Sequence, residues 1–176
     1  MAPDDILLLM PDAGVAQLEA ERAFSALLTV LTPILPATAD VSHVGATSIP
    51  GCVTKGDLDV VIRVQAADFA AAEAALARRF RRNAGSIRTG DFSAFEAPDR
   101  VPQLGIQLTT IGGTFDIFHL FAEALRTDPD RLHRYNDLKR AFQGRPMDSY
   151  RSAKAAFIDE TLRALSDDRS GRTPRV

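Results

Sequence analysis

The fold of this chain is decided by residues 41–64, VSHVGATSIPGCVTKGDLDVVIRV. A short apolar run ends at Gly45, a Pro/Gly turn follows, and a second run begins after Lys55. Because side chains along a strand point to opposite faces in turn, the second run has one apolar face and one face that begins with Asp57 and Asp59. Residues two apart on a strand lie roughly 6.6 Å apart, within reach of a pair of divalent cations. The stretch therefore predicts two strands and a metal site of the phosphoryl-transfer type.

The turn between these two predicted strands has the composition of a phosphate-binding loop. Backbone N–H groups at the Gly45 turn and the hydroxyls of Thr47 and Ser48 are suited to donate hydrogen bonds to phosphate oxygens. Lys55 adds a positive charge. The turn alone is a weak signal, and it gains weight from the two aspartates that follow it.

A structural alternative exists for the two aspartates. Strand-end carboxylates are often solvated, or pair with neighbouring cations, which here are Lys55 and Arg63. Aspartate is depleted in strands, so Asp57 and Asp59 on one face directly after a Gly/Ser/Thr turn favour the functional interpretation.

These residues resemble the core of the nucleotidyltransferase superfamily, the DNA polymerase beta-like fold, in which Gly-x-Thr-Ser precedes Asp-x-Asp on a strand. The resemblance is closer to the GrpB-like proteins, of the UPF0157 type, whose signature is similar to HVGATSIPG at residues 43–51 followed by Lys55 and Asp59. Two C-terminal segments are also similar to that family: Tyr135-x-x-Leu138-Lys139 and Tyr150-x-x-x-Lys154-x-x-Phe157-Ile158. The chain is identified as a member of the GrpB-like branch.

The resemblance implies an α+β (α/β) fold, a mixed β-sheet flanked by helices, with a helical C-terminal part. It implies that Asp57 and Asp59 hold Mg²⁺ and are the catalytic residues. It also implies that a nucleoside triphosphate is bound by Gly45, Thr47, Ser48, Lys55, Lys139, Tyr150 and Lys154. Ala46 departs from the pattern, since a serine is usual at that position.

The predicted strand at residues 103–111 is where nucleotidyltransferases carry a third metal-binding carboxylate. Gln107 lies on the corresponding face here, and its amide oxygen is a neutral ligand. Three carboxylates in neighbouring segments are able to substitute: Asp91, Glu96 and Asp116. The sequence does not choose among them.

The last two predicted helices repeat the pattern Tyr-x-x-x-Lys-x-x-Phe, at residues 135–142 and 150–157. This spacing puts each lysine beside the face that should be buried. One interpretation is that the lysine stems pack on the aromatic rings while the ammonium groups reach solvent or a carboxylate. The family resemblance favours a second, in which Lys154 reaches toward a bound phosphate; for Lys139 both stay open.

Hydrophobic periodicity and capping residues predict the other elements. Helices are predicted at residues 14–32, 66–82, 114–126 and 128–142 and from Asp148 or Ser149 onward, with N-caps at Asp12, Thr114 and Asp128. Val15 and Leu18 are predicted to face the core, and residues 83–97 to form a hairpin or irregular strand pair. Residues 1–165 are predicted to be a single domain, and residues 166–176 a flexible polar tail.

Composition limits the partners. The 176 residues are 45% hydrophobic and 25% charged, with a net charge of −2 and a pI near 5.9, which disfavours a long nucleic acid as partner. Cys52 is the only cysteine, which suits a reducing compartment. The N-terminus lacks a basic segment and a long apolar run, so we expect no signal peptide, no membrane span and a cytoplasmic location.

Two functions are consistent with these patterns. The first is an enzyme in which Asp57 and Asp59 hold Mg²⁺ while a nucleotidyl group passes from a nucleoside triphosphate to a small-molecule or protein acceptor. The second is a nucleotidyltransferase fold without catalysis, which binds a nucleotide or coenzyme-like ligand as an accessory or regulatory module. A third carboxylate close to both aspartates in space would favour transfer, whereas Gln107 as their only neighbour would favour binding.

Overall fold

The structure, a computed structural model, describes the backbone of residues 6–171 and side chains as far as residue 168. Within that range there are five strands: β1 Asp40–Val44, β2 Leu58–Val64, β3 Arg81–Arg82, β4 Phe92–Ala97 and β5 Leu104–Thr110. They form one sheet in the order β1-β2-β5-β4-β3. β2 and β5 are parallel and the other neighbouring pairs are antiparallel, so the predicted mixed sheet is confirmed.

Five helices accompany the sheet: α1 Ala13–Leu31, α2 Phe69–Ala77, α3 Phe118–Thr127, α4 Pro129–Ala141 and α5 Met147–Gly171. Asp12 caps α1 by accepting from the Val15 N–H at 3.0 Å, and Asp128 caps α4 by accepting from the Arg131 N–H at 3.0 Å. Both predicted caps are therefore confirmed. None of these helices is both long and apolar enough to cross a membrane. The cytoplasmic location stays a prediction.

The face of the sheet that packs against α1 and α2 is apolar along β2 and along β5 as far as Leu108. We call it the packed face. It consists of the alternating residues Leu58, Val60, Ile62 and Val64 of β2 and Leu104, Ile106 and Leu108 of β5. The predicted alternation of both strands is confirmed.

The inward stripe of α1 differs from the one that was predicted. Val15 and Leu18 are 48% and 62% exposed, whereas Ala16 and Ala20 are buried, together with Leu27 further along the helix. Small residues allow the first half of α1 to lie close to its neighbours, and this leaves the two larger side chains on the outer surface. The prediction that Val15 and Leu18 face the core was wrong.

The opposite face, which we call the site face, packs against α3, α4 and α5. Val61 of β2 lies there with apolar residues of the loop and of the three helices: Val44, Ile49, Cys52, Ala122, Leu125, Tyr135 and Phe157. Asp59 precedes Val61 on this face, because residues two apart on a strand point the same way. The helical C-terminal part therefore covers the predicted site.

Three predicted boundaries are corrected. α2 ends at Ala77, and Arg81–Arg82 form the short strand β3, in which Arg81 pairs with Glu96 of β4 at 2.9 Å. Thr114 does not cap α3, which begins at Phe118 with Ile117 in the cap position. α5 continues past Leu165 to Gly171, so residues 166–171 are helical where a tail was predicted; residues 172–176 lie outside the described range.

Candidate functional site

A cavity of about 410 Å³ lies between the site face and the C-terminal helices, and we call it the site cavity. Seven of the nine residues predicted for the site line it: Gly45, Lys55, Asp57, Asp59, Lys139, Tyr150 and Lys154. These residues come from β2, the two ends of the β1–β2 connection, α4 and α5, and the fold brings them together. Thr47 and Ser48 are the two that do not line it.

Asp59 lies in β2 opposite Gly105 of β5, and Gly45 is close to it from the loop after β1. Only glycine at these two positions leaves room for the Asp59 side chain. A Cβ atom at Gly105 would lie 3.1 Å from Asp59 Oδ1, and one at Gly45 would lie 2.9 Å from the Asp59 Cβ. Gly45 also has a φ of +75°, which side chains disfavour. The two glycines therefore make room for the carboxylate. Burial raises the pKa of Asp59, and the Lys154 ammonium opposes that shift.

Asp57 comes directly before β2 and is held by a lysine. Lys55 Nζ lies 2.5 Å from Asp57 Oδ2, and both side chains remain partly exposed. Both groups line the site cavity, so they are positioned to exchange this ion pair for contacts to a ligand. The structural alternative for Asp57, a pair with Lys55, is thus present in the protein without a ligand.

Thr47 and Ser48 hold the shape of the loop. Thr47 is buried, and its hydroxyl donates to the Asp57 carbonyl at 2.7 Å and lies 3.0 Å from His43 Nε2. The Ser48 hydroxyl donates to the Gly45 carbonyl at 2.8 Å and accepts from Arg126. Both hydroxyls are engaged away from the cavity, and their predicted contacts with phosphate stay a prediction.

Lys139 is a buried lysine whose partners are neutral. Its Nζ donates to the Val53 carbonyl at 2.7 Å, lies 3.7 Å from the Cys52 sulfur and sits 4.6 Å from the centre of the Tyr135 ring. Burial lowers the pKa of Lys139 to about 8. Two interpretations were left open for Lys139, and the contacts among the described residues do not show the one in which its ammonium reaches solvent or a carboxylate: the ammonium donates to the Val53 carbonyl in the interior.

Lys154 reaches the same cavity from α5, as the family resemblance implied. Within residues 6–168, no carboxylate lies within ion-pair distance of its ammonium group. Beside it, the hydroxyls of Tyr150 and Tyr135 lie 3.4 Å apart, and burial raises the pKa of both phenols, which keeps them neutral. Lys154 is therefore a cation available to an anionic ligand.

None of the three candidate substitutes for a third carboxylate approaches the two aspartates. Asp116 binds Arg63 through both oxygens at 2.6 and 2.8 Å, and Asp91 accepts from the Thr89 hydroxyl. Glu96 pairs with Arg81; it stands two strands from Asp59 across Gly105, which corresponds to roughly 10 Å. Throughout the described part of the chain, no three His, Cys, Asp or Glu side chains cluster tightly enough to hold a metal ion.

Gln107 adds a neutral amide oxygen to the cavity that the two aspartates line. It lines the site cavity, its amide nitrogen is close to Gly105 beside Asp59, and its Oε1 is buried without a hydrogen-bond partner among the described residues. Mg²⁺ in proteins is usually held by one or two carboxylates together with phosphate oxygens and water. Asp57, Asp59 and the orphaned Gln107 oxygen fit one such ion, completed by a ligand's phosphate.

The sequence analysis missed the apolar wall of the cavity. Phe118 and Phe121 of α3 line it with Ile117, and Asn83 adds a polar group at its edge. Their helix was predicted, but an apolar helical residue has the same periodicity whether it faces a core or a cavity. No signal in the sequence distinguishes the two cases.

Comparison with known proteins agrees with this architecture. A family model described as "GrpB protein" matches residues 16–164. A UPF0157 protein of Vibrio cholerae is 32% identical over 133 residues, which are 75% of this chain and 70% of that protein. A UPF0157 protein of Streptomyces coelicolor is 30% identical over 131 residues, 70% of this chain and 67% of that protein.

A solved structure of a GrpB protein shows the same fold. The crystal structure of GrpB from Enterococcus faecalis superposes with a TM-score of 0.64 at 18% identity, covering 83% of this chain and 94% of that one. The poly(U) polymerase Cid1 is a weaker match, with a TM-score of 0.49 at 10% identity over 71% of this chain and 40% of its own; a likeness at that level carries no information on activity. With the family model matching most of its length, this chain belongs to the GrpB protein family.

Proposed function

We propose that the site cavity binds a Mg²⁺-bound nucleoside triphosphate and supports transfer of its nucleotidyl group to a small-molecule or protein acceptor. The observation that carries the proposal is the balance of charge in the cavity. Three lysines line it against two aspartates, and Lys154 has no acidic partner among the described residues. A concave site with excess positive charge beside paired carboxylates suits an anion that brings its own divalent ion.

The residues divide into two groups. Asp57, Asp59 and the Gln107 oxygen would hold Mg²⁺, which neutralises charge on the phosphates when bound. Lys55 and Lys154 would contact phosphate oxygens, and both line the cavity, Lys55 from the segment before β2 and Lys154 from α5.

Two further groups shape the site around the ligand. Gly45 keeps the loop clear of Asp59, and the hydroxyl of Tyr150 lies beside Lys154 as a neutral hydrogen-bonding group. In this arrangement most of the rate acceleration comes from positioning and from charge neutralisation, because the protein itself forms no bond to the phosphorus when an external acceptor attacks.

A second candidate function is binding without transfer, as an accessory or regulatory module. Gln107 favours it, because a neutral amide stands where a third carboxylate is usual and no carboxylate in the described part of the chain replaces it. The presence of both Asp57 and Asp59 in a cavity with Lys154, which has no acidic partner within residues 6–168, favours transfer. Both functions share the same ligand site and differ in whether pyrophosphate is released.

The test is a thermal-shift titration with the four ribonucleoside triphosphates, with and without Mg²⁺. A ligand that binds only the folded state raises the melting temperature by mass action. We expect a Mg²⁺-dependent rise in the wild type that is lost in the Asp57→Ala/Asp59→Ala variant. The Asp167→Ala/Asp168→Ala variant, which removes the same charge from exposed positions, is the matched control and should keep the rise.

Pyrophosphate release then separates the two candidate functions. Release that depends on Asp57 and Asp59 supports transfer, and a melting-temperature rise without release supports a binding module. If no triphosphate changes the melting temperature of the folded wild-type protein, the proposed ligand class is wrong.

A further inference from the structure

A second cavity lies beside the site cavity, and the proposed triphosphate site does not use it. Its volume is about 470 Å³, and we call it the outer groove. Three residues line both cavities: Lys55, Asp57 and Met147. The outer groove therefore meets the site cavity at the ion pair between Lys55 and Asp57, two residues of the proposed triphosphate site.

The wall that separates the two cavities is formed by residues 6–10. Alternate side chains of this segment line different cavities, with Leu7 and Leu9 in the site cavity and Ile6, Leu8 and Met10 in the outer groove. An extended chain produces this pattern, because its side chains point to opposite sides in turn. One short segment thus shapes the site cavity and supplies an apolar surface to its neighbour.

Exposed apolar side chains are concentrated at the outer groove. Eight large apolar residues are exposed in the part of the chain that the structure describes, and four of them line this groove: Ile6, Leu8, Met10 and Val101, at 44%, 58%, 40% and 95%. Such residues scattered singly are ordinary, whereas several in one place mark a site of interaction. A small-molecule pocket usually encloses its ligand. These side chains are open to solvent, so they suit a chain that lies along them.

The charge of the outer groove is opposite to that of the site cavity. Glu19 and Asp99 line it, and neither has an ion-pair partner within residues 6–168. With the Lys55–Asp57 pair neutral overall, Arg100 is the remaining cation in its lining, and the Arg100 guanidinium lies 5.7 Å from the centre of the Phe80 ring. The groove therefore favours a basic ligand, whereas the site cavity favours an anion.

The backbone of Leu8 is free to pair with another chain. The Leu7 N–H donates to the Arg145 carbonyl at 2.9 Å, and the Leu7 carbonyl accepts from the Gly144 N–H at 2.8 Å. The N–H and carbonyl groups of Leu8 have no hydrogen-bond partner within residues 6–168. An extended peptide pairs with such free groups while its alternate side chains occupy neighbouring pockets.

We propose that the outer groove binds an extended peptide segment of a protein acceptor, with apolar and basic side chains, and that a serine, threonine or tyrosine hydroxyl of this segment lies at its Asp57 end. The proposal rests on the proposed function and names the acceptor class for it. The hydroxyl oxygen attacks the α-phosphorus of the triphosphate, an O–P bond forms, and the bond from the α-phosphorus to the bridging oxygen breaks. Pyrophosphate leaves with that electron pair, and the hydroxyl proton passes to water.

The experiment uses the full chain and three peptide libraries, each with serine, threonine or tyrosine fixed at the centre and randomised flanking positions. Retention of peptides on the immobilised protein measures binding without any nucleotide. Incubation with Mg²⁺ and the four ribonucleoside triphosphates, labelled at the α-phosphorus, measures transfer. We expect one library or more to be retained and labelled, and sequencing to show enrichment of valine, isoleucine or leucine together with lysine or arginine.

Variants of the groove test where the peptides bind. Leu8→Asp and Val101→Asp change exposed side chains on two separate segments of the groove, and each should weaken binding of the enriched peptides about tenfold. Ile87→Asp makes the same kind of change at a position that is 56% exposed outside the groove, and should leave binding unchanged. Glu19→Gln/Asp99→Asn should remove the enrichment of lysine and arginine and keep that of the apolar residues.

Several outcomes would overturn the proposal. If triphosphate raises the melting temperature but no library is retained, the acceptor is not a peptide, and the proposed triphosphate site still stands. Peptides that are retained but never labelled would refute the acceptor role. Equal binding to Leu8→Asp and wild type would place the peptide outside the outer groove. A dimer in sedimentation that Leu8→Asp dissociates would assign the groove to a second copy of this chain. Absence of both labelling and any rise in melting temperature would refute the proposed function as well.

Discussion

The two faces of β2 show how one strand serves stability and chemistry separately. On the packed face, Leu58, Val60 and Ile62 are at most 2% exposed and belong to one hydrophobic cluster with residues of α1, α2 and β5. On the site face, Asp59 and Arg63 carry opposite charges and flank the buried Val61. Alternation along the strand places these two environments one residue apart. The packed face anchors the strand in the hydrophobic core, and the site face of the same strand presents charged groups.

Burial of side chains stabilises the folded state on the packed face, whereas burial of charged groups around the site opposes folding. Burying a large apolar side chain contributes about 1.5–3 kcal/mol to folding, whereas burying an ionised group opposes it. In the site cavity this cost appears for an acid and for a base. Burial raises the pKa of Asp59 and lowers the pKa of Lys139. Groups retained against such a cost are candidates for function.

The largest expected difference between the faces is in packing. Leu108→Ala removes a side chain that is 0% exposed on the packed face and should lower the free energy of unfolding by about 2–5 kcal/mol. Leu18→Ala makes the same chemical change at a position that is 62% exposed and should cost less than about 0.5 kcal/mol. Urea denaturation of both variants measures the contrast. Equal losses would contradict the assignment of the two positions.

The next largest expected effect is the pH dependence of folding stability that Lys139 causes. Its pKa is about 8 in the folded state and about 10.4 when unfolded, so the unfolded chain binds more protons between those values, and this group's contribution to stability rises with pH across that window. From pH 8 to pH 10 the wild type should gain about 2 kcal/mol relative to Lys139→Met, measured by denaturant titration at each pH. Parallel pH profiles for the two proteins would show that Lys139 titrates normally.

A smaller effect is expected from converting Gln107 to a carboxylate. Gln107→Glu places a charge beside Asp57 and Asp59 without changing side-chain length, and should tighten Mg²⁺ binding about tenfold, or about 1.4 kcal/mol, in the presence of triphosphate. The measurement is the Mg²⁺ concentration needed for half of the melting-temperature rise. Gln65→Glu, at an exposed position after β2, is the control that should leave this concentration unchanged. An unchanged value in Gln107→Glu would remove Gln107 from the metal site.

The smallest expected effect is the change in folding stability when Asp59 is substituted. Because burial raises its pKa in the folded state, its contribution to stability is fully present below the unfolded value of about 3.9 and is lost as pH rises through the folded value. Asp59→Asn should therefore be more stable than wild type at pH 7 by about 0.5–1 kcal/mol, with the difference vanishing near pH 3. Thermal unfolding at both pH values tests this, and a less stable variant at pH 7 would contradict it. The same variant should lose the Mg²⁺-dependent response to triphosphate.

Elements with strong local signals were predictable from the sequence. The alternation of β2 and β5 gave both strands and their packed face, and Asp128 with Pro129 marked the start of α4. The boundary of α2 was not predictable in this way. Arg81 and Arg82 continue a helical pattern, but they pair with Glu96 and Glu73 and join the sheet, and that competition depends on partners outside the local sequence.

The site residues also separate into those that local sequence predicted and those that depend on distant contacts. The sequence by itself determined which residues are able to do chemistry: Asp57 and Asp59 on one face of a strand, Gln107 at the third position and lysines beside aromatic stripes. Only the tertiary structure decided that Thr47 and Ser48 brace the loop and that Asp91, Glu96 and Asp116 lie elsewhere. It also decided that Lys139 is buried with no ion-pair partner among the residues that the structure describes. The physical reason is that alternation and capping are properties of neighbouring residues, whereas desolvation and ion pairing depend on which distant segments the fold brings together.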